Sequence, residues 1–133
     1  MKILLDTSAY SAMRRDHAGV LALVRAARRV LVSSVVAGEL IYGFRRGSRF
    51  QQNRRDLVEF LGSPFVDLIP VTLATAERFG IVRHDLARKG RPIPTNDVWI
   101  AAHALEHGAD LVSMDDHFGS IDGIVWVDPA AWT

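Results

Sequence analysis

Lys2-Ile3-Leu4-Leu5-Asp6-Thr7-Ser8 sets a short apolar run directly against an acid and two hydroxyl residues. Asp, Thr and Ser are all good helix N-caps, so the run reads as a buried strand, Lys2–Leu5, passing straight into a helix at about Ser8–Arg14. The alternation continues along the chain. Further strands are predicted at Val30–Ser33, Phe65–Ile69, Asp110–Ser113 and Ile124–Val127. Helical patterns fill the intervals at Ala18–Arg28, Ser34–Phe44, Arg49–Leu61, Thr72–Lys89 and Thr95–His107. Gly62-Ser63-Pro64, Gly90-Arg91-Pro92 and Gly108 supply the stops. Strands separated by helices predict an α/β fold with a mainly parallel sheet covered on both faces. Ligands of such sheets bind beyond the carboxyl ends of the strands, so acids at those ends carry the most information.

The chain of 133 residues fits a single domain, 1–133, and is long enough to bury a core. No cysteine is present, which excludes disulfides, zinc–thiolate sites and thiol nucleophiles and suits a reducing cytoplasm. The N-terminal apolar run is too short for a signal peptide, and none approaches the ~18 residues of a membrane span. A net charge of +1 hides a bias: of 16 basic residues all but Lys2 and Lys89 are Arg. The planar guanidinium suits phosphate, though genomic base composition yields the same bias.

Four acids stand out. Asp6 ends the first strand, where cap and ligand are equally good readings. Glu39 is the only charge in Ser34-Val-Val-Ala-Gly-Glu-Leu-Ile-Tyr-Gly-Phe44, a helix apolar all round and therefore expected to be buried. A lone carboxylate there costs several kcal/mol unless an arginine or a cation pairs with it. Asp97 lies in the first turn of a helix capped by Thr95, where the dipole favours an acid by only ~0.3–1 kcal/mol. Ala101 and Ala104, one and two turns on, are expected to leave space on that face. Asp115 follows the fourth strand by two residues in Ser113-Met-Asp-Asp-His-Phe118, with Asp116 as an adjacent alternative. Carboxylates 4–5 Å apart repel by roughly 4 kcal/mol per pair at an effective dielectric of 20, so a cluster of them needs protons or a cation. An oxygen-only set favours Mg²⁺ or Mn²⁺ over zinc, and such sites support phosphoryl chemistry.

These stretches resemble the motifs of PIN-domain toxins of the VapC type. LLDTSAY resembles the opening strand and first acid, SSVVAGEL the glutamate motif, PTNDVWIAAHAL the third and LVSMDDHF the fourth. The resemblance runs nearly end to end and implies a five-stranded sheet sandwiched between helices. It implies Mg²⁺-dependent endonucleolytic hydrolysis of RNA, Mn²⁺ substituting, with Asp6, Glu39, Asp97 and Asp115 as catalytic and metal-binding acids. It also implies an antitoxin whose C-terminal segment covers the active-site groove, and a homodimer. Which acid serves as base stays open.

Arg45, Arg46 and Arg49 begin the densest basic stretch just after the glutamate helix and are expected to contact substrate phosphate; Arg54 and Arg55 read as solvated. Two other function classes compete. A phosphoacceptor receiver domain shares the length and alternation but needs an acid ending the third strand, where Ile69-Pro70 stands. A PIN-like fold that binds RNA without cutting it has no reason to keep four acids. One further motif, His103-Ala-Leu-Glu106-His107, matches the H-x-x-E-H of some zinc proteases. Helical projection turns both histidines away from Val98, Ala101 and Leu105, toward solvent.

Overall fold

The computed structural model describes residues 1–132; Thr133, the end of the expected domain, lies outside the described residues. Strands β1 (Lys2–Leu5), β2 (Arg29–Ser33), β3 (Val66–Ile69), β4 (Asp110–Val112) and β5 (Trp126–Val127) form one sheet. Its order is β3-β2-β1-β4-β5, and every pairing is parallel. Consecutive strand side chains point to opposite faces, yet Ile3, Leu4 and Leu5 all have zero exposure. Both faces are therefore covered, as the unbroken apolar run requires. The cover comes from α1 (Thr7–Arg14), α2 (Ala18–Ala26), α3 (Ser34–Arg46), α4 (Phe50–Leu61), α5 (Leu73–Lys89) and α6 (Thr95–His107). Among the described residues no helix is long and apolar enough to cross a membrane.

The winding reverses at β1. The chain moves outward through β2 to β3, then returns to place β4 on the other side of β1. That reversal opens a crevice at the carboxyl ends of β1 and β4, the place where parallel α/β sheets bind ligands. The register sets Leu5 beside Val112, so Asp6 and Ser113 leave the two strands side by side. At the other flank β3 ends in Ile69 and Pro70 with no acid, which removes the receiver-type requirement.

Several boundaries differ from the sequence reading, each for a local reason. α2 stops at Ala26 because Ala27 turns extended and the Arg28 amide donates to the Met1 carbonyl at 2.7 Å. β5 is only Trp126–Val127, since Ile124 and Val125 are still leaving the turn at Gly123. α3 continues to Arg46 and is not buried all round: Tyr42 is 66% exposed, and Gly38 and Gly43 share that open side. Thr95 is the first residue of α6, not its cap; Pro94 holds the cap position and accepts from the Asp97 amide at 3.0 Å. Gly108, with φ of 59°, ends α6 in the left-handed conformation expected of it. Ala101 and Ala104 do not face an open crevice; both are buried in the core.

The C-terminal turn Pro129–Ala131 closes against α2 at Gly19. A Cβ there would sit 1.9 Å from the Pro129 carbonyl oxygen, a clash with backbone rather than with a flexible side chain. Gly19→Ala should therefore lower the unfolding free energy by ~1–3 kcal/mol or displace the C-terminal turn. Urea unfolding of the two proteins checks this, and an unchanged midpoint would mean that the turn yields without cost.

Candidate active site

Asp6 is 4% exposed, and its two oxygens have different duties. Oδ1 caps α1, accepting from the Ala9 amide at 2.8 Å and from the Ser8 hydroxyl at 2.7 Å. Oδ2 accepts from the Ser113 hydroxyl at 2.5 Å. Cap and ligand are thus compatible readings, because the cap uses Oδ1 and a carboxylate oxygen can accept more than the one bond that Oδ2 receives. Ser113 is fully buried, and its oxygen also accepts from the Asp115 amide at 2.9 Å. Ser8 does the parallel work, giving its proton to Asp6 and accepting from the Met114 amide at 3.0 Å. Two serines therefore lock the loop after β4 to the end of β1.

Glu39 projects from α3 into the same crevice, half-buried rather than enclosed. Its Oε1 accepts from the Thr7 hydroxyl at 2.7 Å and its Oε2 from the Asn96 amide nitrogen at 3.2 Å. It has neither the arginine partner nor the deep burial that the sequence allowed. Its burial is lower than expected because α3 has a solvent side made of glycines and Tyr42, which an apolar count does not distinguish from core.

Asp97 enters from the first turn of α6, and Asp115 caps a short 3-10 turn, Asp116–Ser120, accepting from the His117 amide at 3.2 Å. That turn swings the His117 ring back, so its Nδ1 lies 3.1 Å from Asp97 Oδ2 and 3.2 Å from Asp115 Oδ2. Ligand atoms of Asp97, Asp115 and His117 fall within 4.8 Å of one another, a spacing that one metal ion can span; the exposed Asp116 is not in that group. The expectation of an oxygen-only cluster needs correction on this point. His117 was visible two residues after Asp115, but the 3-10 turn that aims it has no clear sequence signature. Ser8, Ser113, Thr7 and Asn96 were likewise not singled out as supports.

The electrostatics register the crowding. Burial pushes the Asp97 carboxyl above its ordinary range, and the charges of Asp115 and Glu39 push it the same way; the His117 hydrogen bond offsets only part of this. Burial also raises Asp6, against the hydrogen bonds from Ser113, Ser8 and Ala9, and the Asp97 charge adds to the rise. The bond to Asp97, with the nearby Asp115, raises the His117 imidazole, whose Nδ1 lies between the two carboxylates. Asp97 thus links all four acids. A divalent cation suits this donor set: hard oxygens from separate elements with the His117 imidazole beside them, in a place where positive charge is already favoured.

The arginines form a separate feature. Arg45 lies over the Phe50 ring at 3.9 Å and Arg46 faces Tyr42 at 5.7 Å. Arg49 lines a groove with Arg14, Arg15, Tyr10, Phe44 and Asn53. Ser11 and Phe44, also at that groove, lie five residues beyond Asp6 and Glu39 respectively, so the groove begins about 7 Å along α1 and α3 from the acids.

With this geometry established, the family can be assigned. A family profile described as PIN domain matches residues 3–124. The chain belongs to the PIN-domain family. Its similar proteins include toxins of the VapC type. Ribonuclease VapC2 of Haemophilus influenzae is 30% identical over 115 residues, covering 85% of this chain and 86% of that protein. The fold is similar to VapBC2 of Rickettsia felis bound to a promoter DNA fragment, with a TM-score of 0.84 and 27% identity over 96% of this chain and 98% of that one. DNA-bound VapBC of Salmonella typhimurium gives a TM-score of 0.86 at 26% identity, covering 97% and 98%. The five parallel strands and flanking helices are thus the PIN architecture that the sequence led us to expect.

The raised Asp97 carboxyl fixes the sign of a stability test. A carboxyl that holds its proton more tightly when folded makes the metal-free protein lose stability as pH rises from the unfolded-chain value through the raised folded one. Asp97→Asn removes that loss. At neutral pH without divalent cation, this variant of the PIN domain should melt at or above the wild-type temperature, and added Mg²⁺ should stabilise the wild type more than the variant. Melting curves with and without Mg²⁺ decide it; a variant clearly less stable without metal would make Asp97 a scaffold residue.

Proposed function

We propose that this chain is an endoribonuclease toxin of the VapC type, hydrolysing RNA at a metal site formed by Asp6, Glu39, Asp97 and Asp115. One observation carries the reading: four carboxylates from four different segments converge at the topological switch point of a PIN-domain sheet, with Asp97 raised first by burial and further by the charges of Asp115 and Glu39. In this reading the chemistry that Mg²⁺, or Mn²⁺ in its place, would supply is charge neutralisation at the phosphoryl group and activation of water. Asp6, Asp97 and Asp115, with Glu39, would hold that ion. Ser113 and Ser8 hold Asp6 in position, while Thr7 and Asn96 hold Glu39 at the rim to orient water or a second ion. The partner is an antitoxin whose C-terminal segment lies over the groove, and the toxin itself is a cytoplasmic homodimer. Assembly with an antitoxin is supported by the VapBC complexes that the fold resembles.

Purified protein should cleave RNA only with Mg²⁺ or Mn²⁺, with excess chelator abolishing cleavage and Asp97→Asn lacking it. Metal-independent cleavage would overturn the mechanism. RNA binding without cleavage in Mg²⁺ would point instead to a PIN-like binding module.

Arg45, Arg46 and Arg49 are assigned to phosphate contact, with Arg49 joined by Arg14 and Arg15 in the groove beside the acids. Replacing the first three by Ala should weaken RNA binding across sequences and reduce the slope of log affinity against log salt by about 2–3. A salt slope identical to wild type would assign these arginines to packing on Phe50 and Tyr42.

A further inference from the structure

In the H-x-x-E-H stretch of α6, His107 is partly exposed as helical projection suggested, but His103 is not. His103 has zero exposure, because α5 covers the side of α6 away from the sheet. Neither of its ring nitrogens has a hydrogen-bond partner among the described residues. A buried imidazole without a partner is unusual, since buried polar groups nearly always find one. Its Nδ1 is 3.5 Å from Glu106 Oε1, too long for a proper hydrogen bond, and His107 Nε2 lies 3.6 Å from the same oxygen. One ligand atom from each of the three residues lies within 4.8 Å of the other two.

We propose that His103 Nδ1, Glu106 Oε1 and His107 Nε2 form a second metal site, for a transition-metal cation of the Zn²⁺ class, at the C-terminal end of α6. Zn–N and Zn–O bonds of about 2.0–2.1 Å place tetrahedral ligand atoms about 3.3–3.4 Å apart, close to the two spacings found here. Two imidazoles and one carboxylate select such an ion over Mg²⁺, which favours oxygen ligands. Glu106 is already oriented from behind. Thr75 donates to Oε1 at 2.5 Å and Thr72 to Oε2 at 3.3 Å, leaving an Oε1 lone pair for the ion. Burial also keeps the His103 ring below the ordinary imidazole range, so it is neutral at pH 7 and able to ligate. His107, one third exposed, opens the fourth coordination position to water.

This site is separate from the acid cluster. His103 and His107 lie six and ten residues beyond Asp97, about 9 and 15 Å along the helix. An ion there would join the last turn of α6 to the start of α5 through Glu106 and the two threonines, so its effect is on stability and not on phosphodiester chemistry.

The test is titration of the full chain with Zn²⁺ in excess Mg²⁺, read by calorimetry and by melting temperature. One equivalent of Zn²⁺ should bind and raise the melting temperature in wild type and in Asp97→Asn alike. His107→Ala should lose that equivalent while retaining the wild-type circular dichroism spectrum, and Thr75→Val should weaken it about tenfold or more. In the unmodified protein, the ring resonances of His103 and His107 should shift together with Zn²⁺, a reading that requires no variant. The proposal fails if no Zn²⁺ binds in excess Mg²⁺ or if His107→Ala binds as wild type does. It fails equally if binding disappears in Asp97→Asn, which would place the ion among the acids.

Discussion

The hydrogen bond between Ser113 and Asp6 joins two chain segments that are adjacent in the sheet but 107 residues apart in sequence. Around it the rest of the site is arranged. Asp6 begins α1, whose Thr7 holds Glu39; Ser113 anchors the loop from which Asp115 and His117 project. The parallel register of β1 and β4 makes this bond geometrically available, and full burial of Ser113 shields it from competing water. A serine is well suited to the position, because one small hydroxyl donates to the acid and accepts from the Asp115 amide at the same time.

The same arrangement concentrates negative charge where a stability-driven sequence would avoid it. Asp6 and Asp97 are both pushed toward protonation by burial and by neighbouring charge, and His117 compensates only in part. Local frustration of this kind is how a folded protein keeps an electrostatic hole ready for a cation. The remainder of the molecule is consistent with its own patterning: β1 and β2 are buried Val, Ile and Leu almost throughout.

Much of this was legible in the sequence. Strand runs bounded by caps and glycines gave all five strands and six helices to within a few residues, and acids at strand ends marked the crevice. What could not be read was anything that depends on which second element covers a helix. Helical projection assumes one buried face; α6 has two, one against the sheet and one against α5, so His103 was misplaced. The opposite error befell Glu39, where glycines made a solvent face look like core. His117 was missed for a third reason: a 3-10 turn of five residues reverses the chain with no periodic signal.

Strand order also bears on how the molecule emerges from the ribosome. β1 is made first and lies at the centre of the sheet, and β2 and β3 can pair outward from it as they appear. Its other edge waits for β4, which begins at Asp110. Until Ser113 leaves the exit tunnel, Asp6 has no serine from that loop to hold Oδ2, and Asp115 and His117 do not yet exist outside the ribosome. The acid cluster therefore closes only after β4 and its loop have emerged, and a nascent chain stalled before that point carries β1, β2 and β3 but no assembled site.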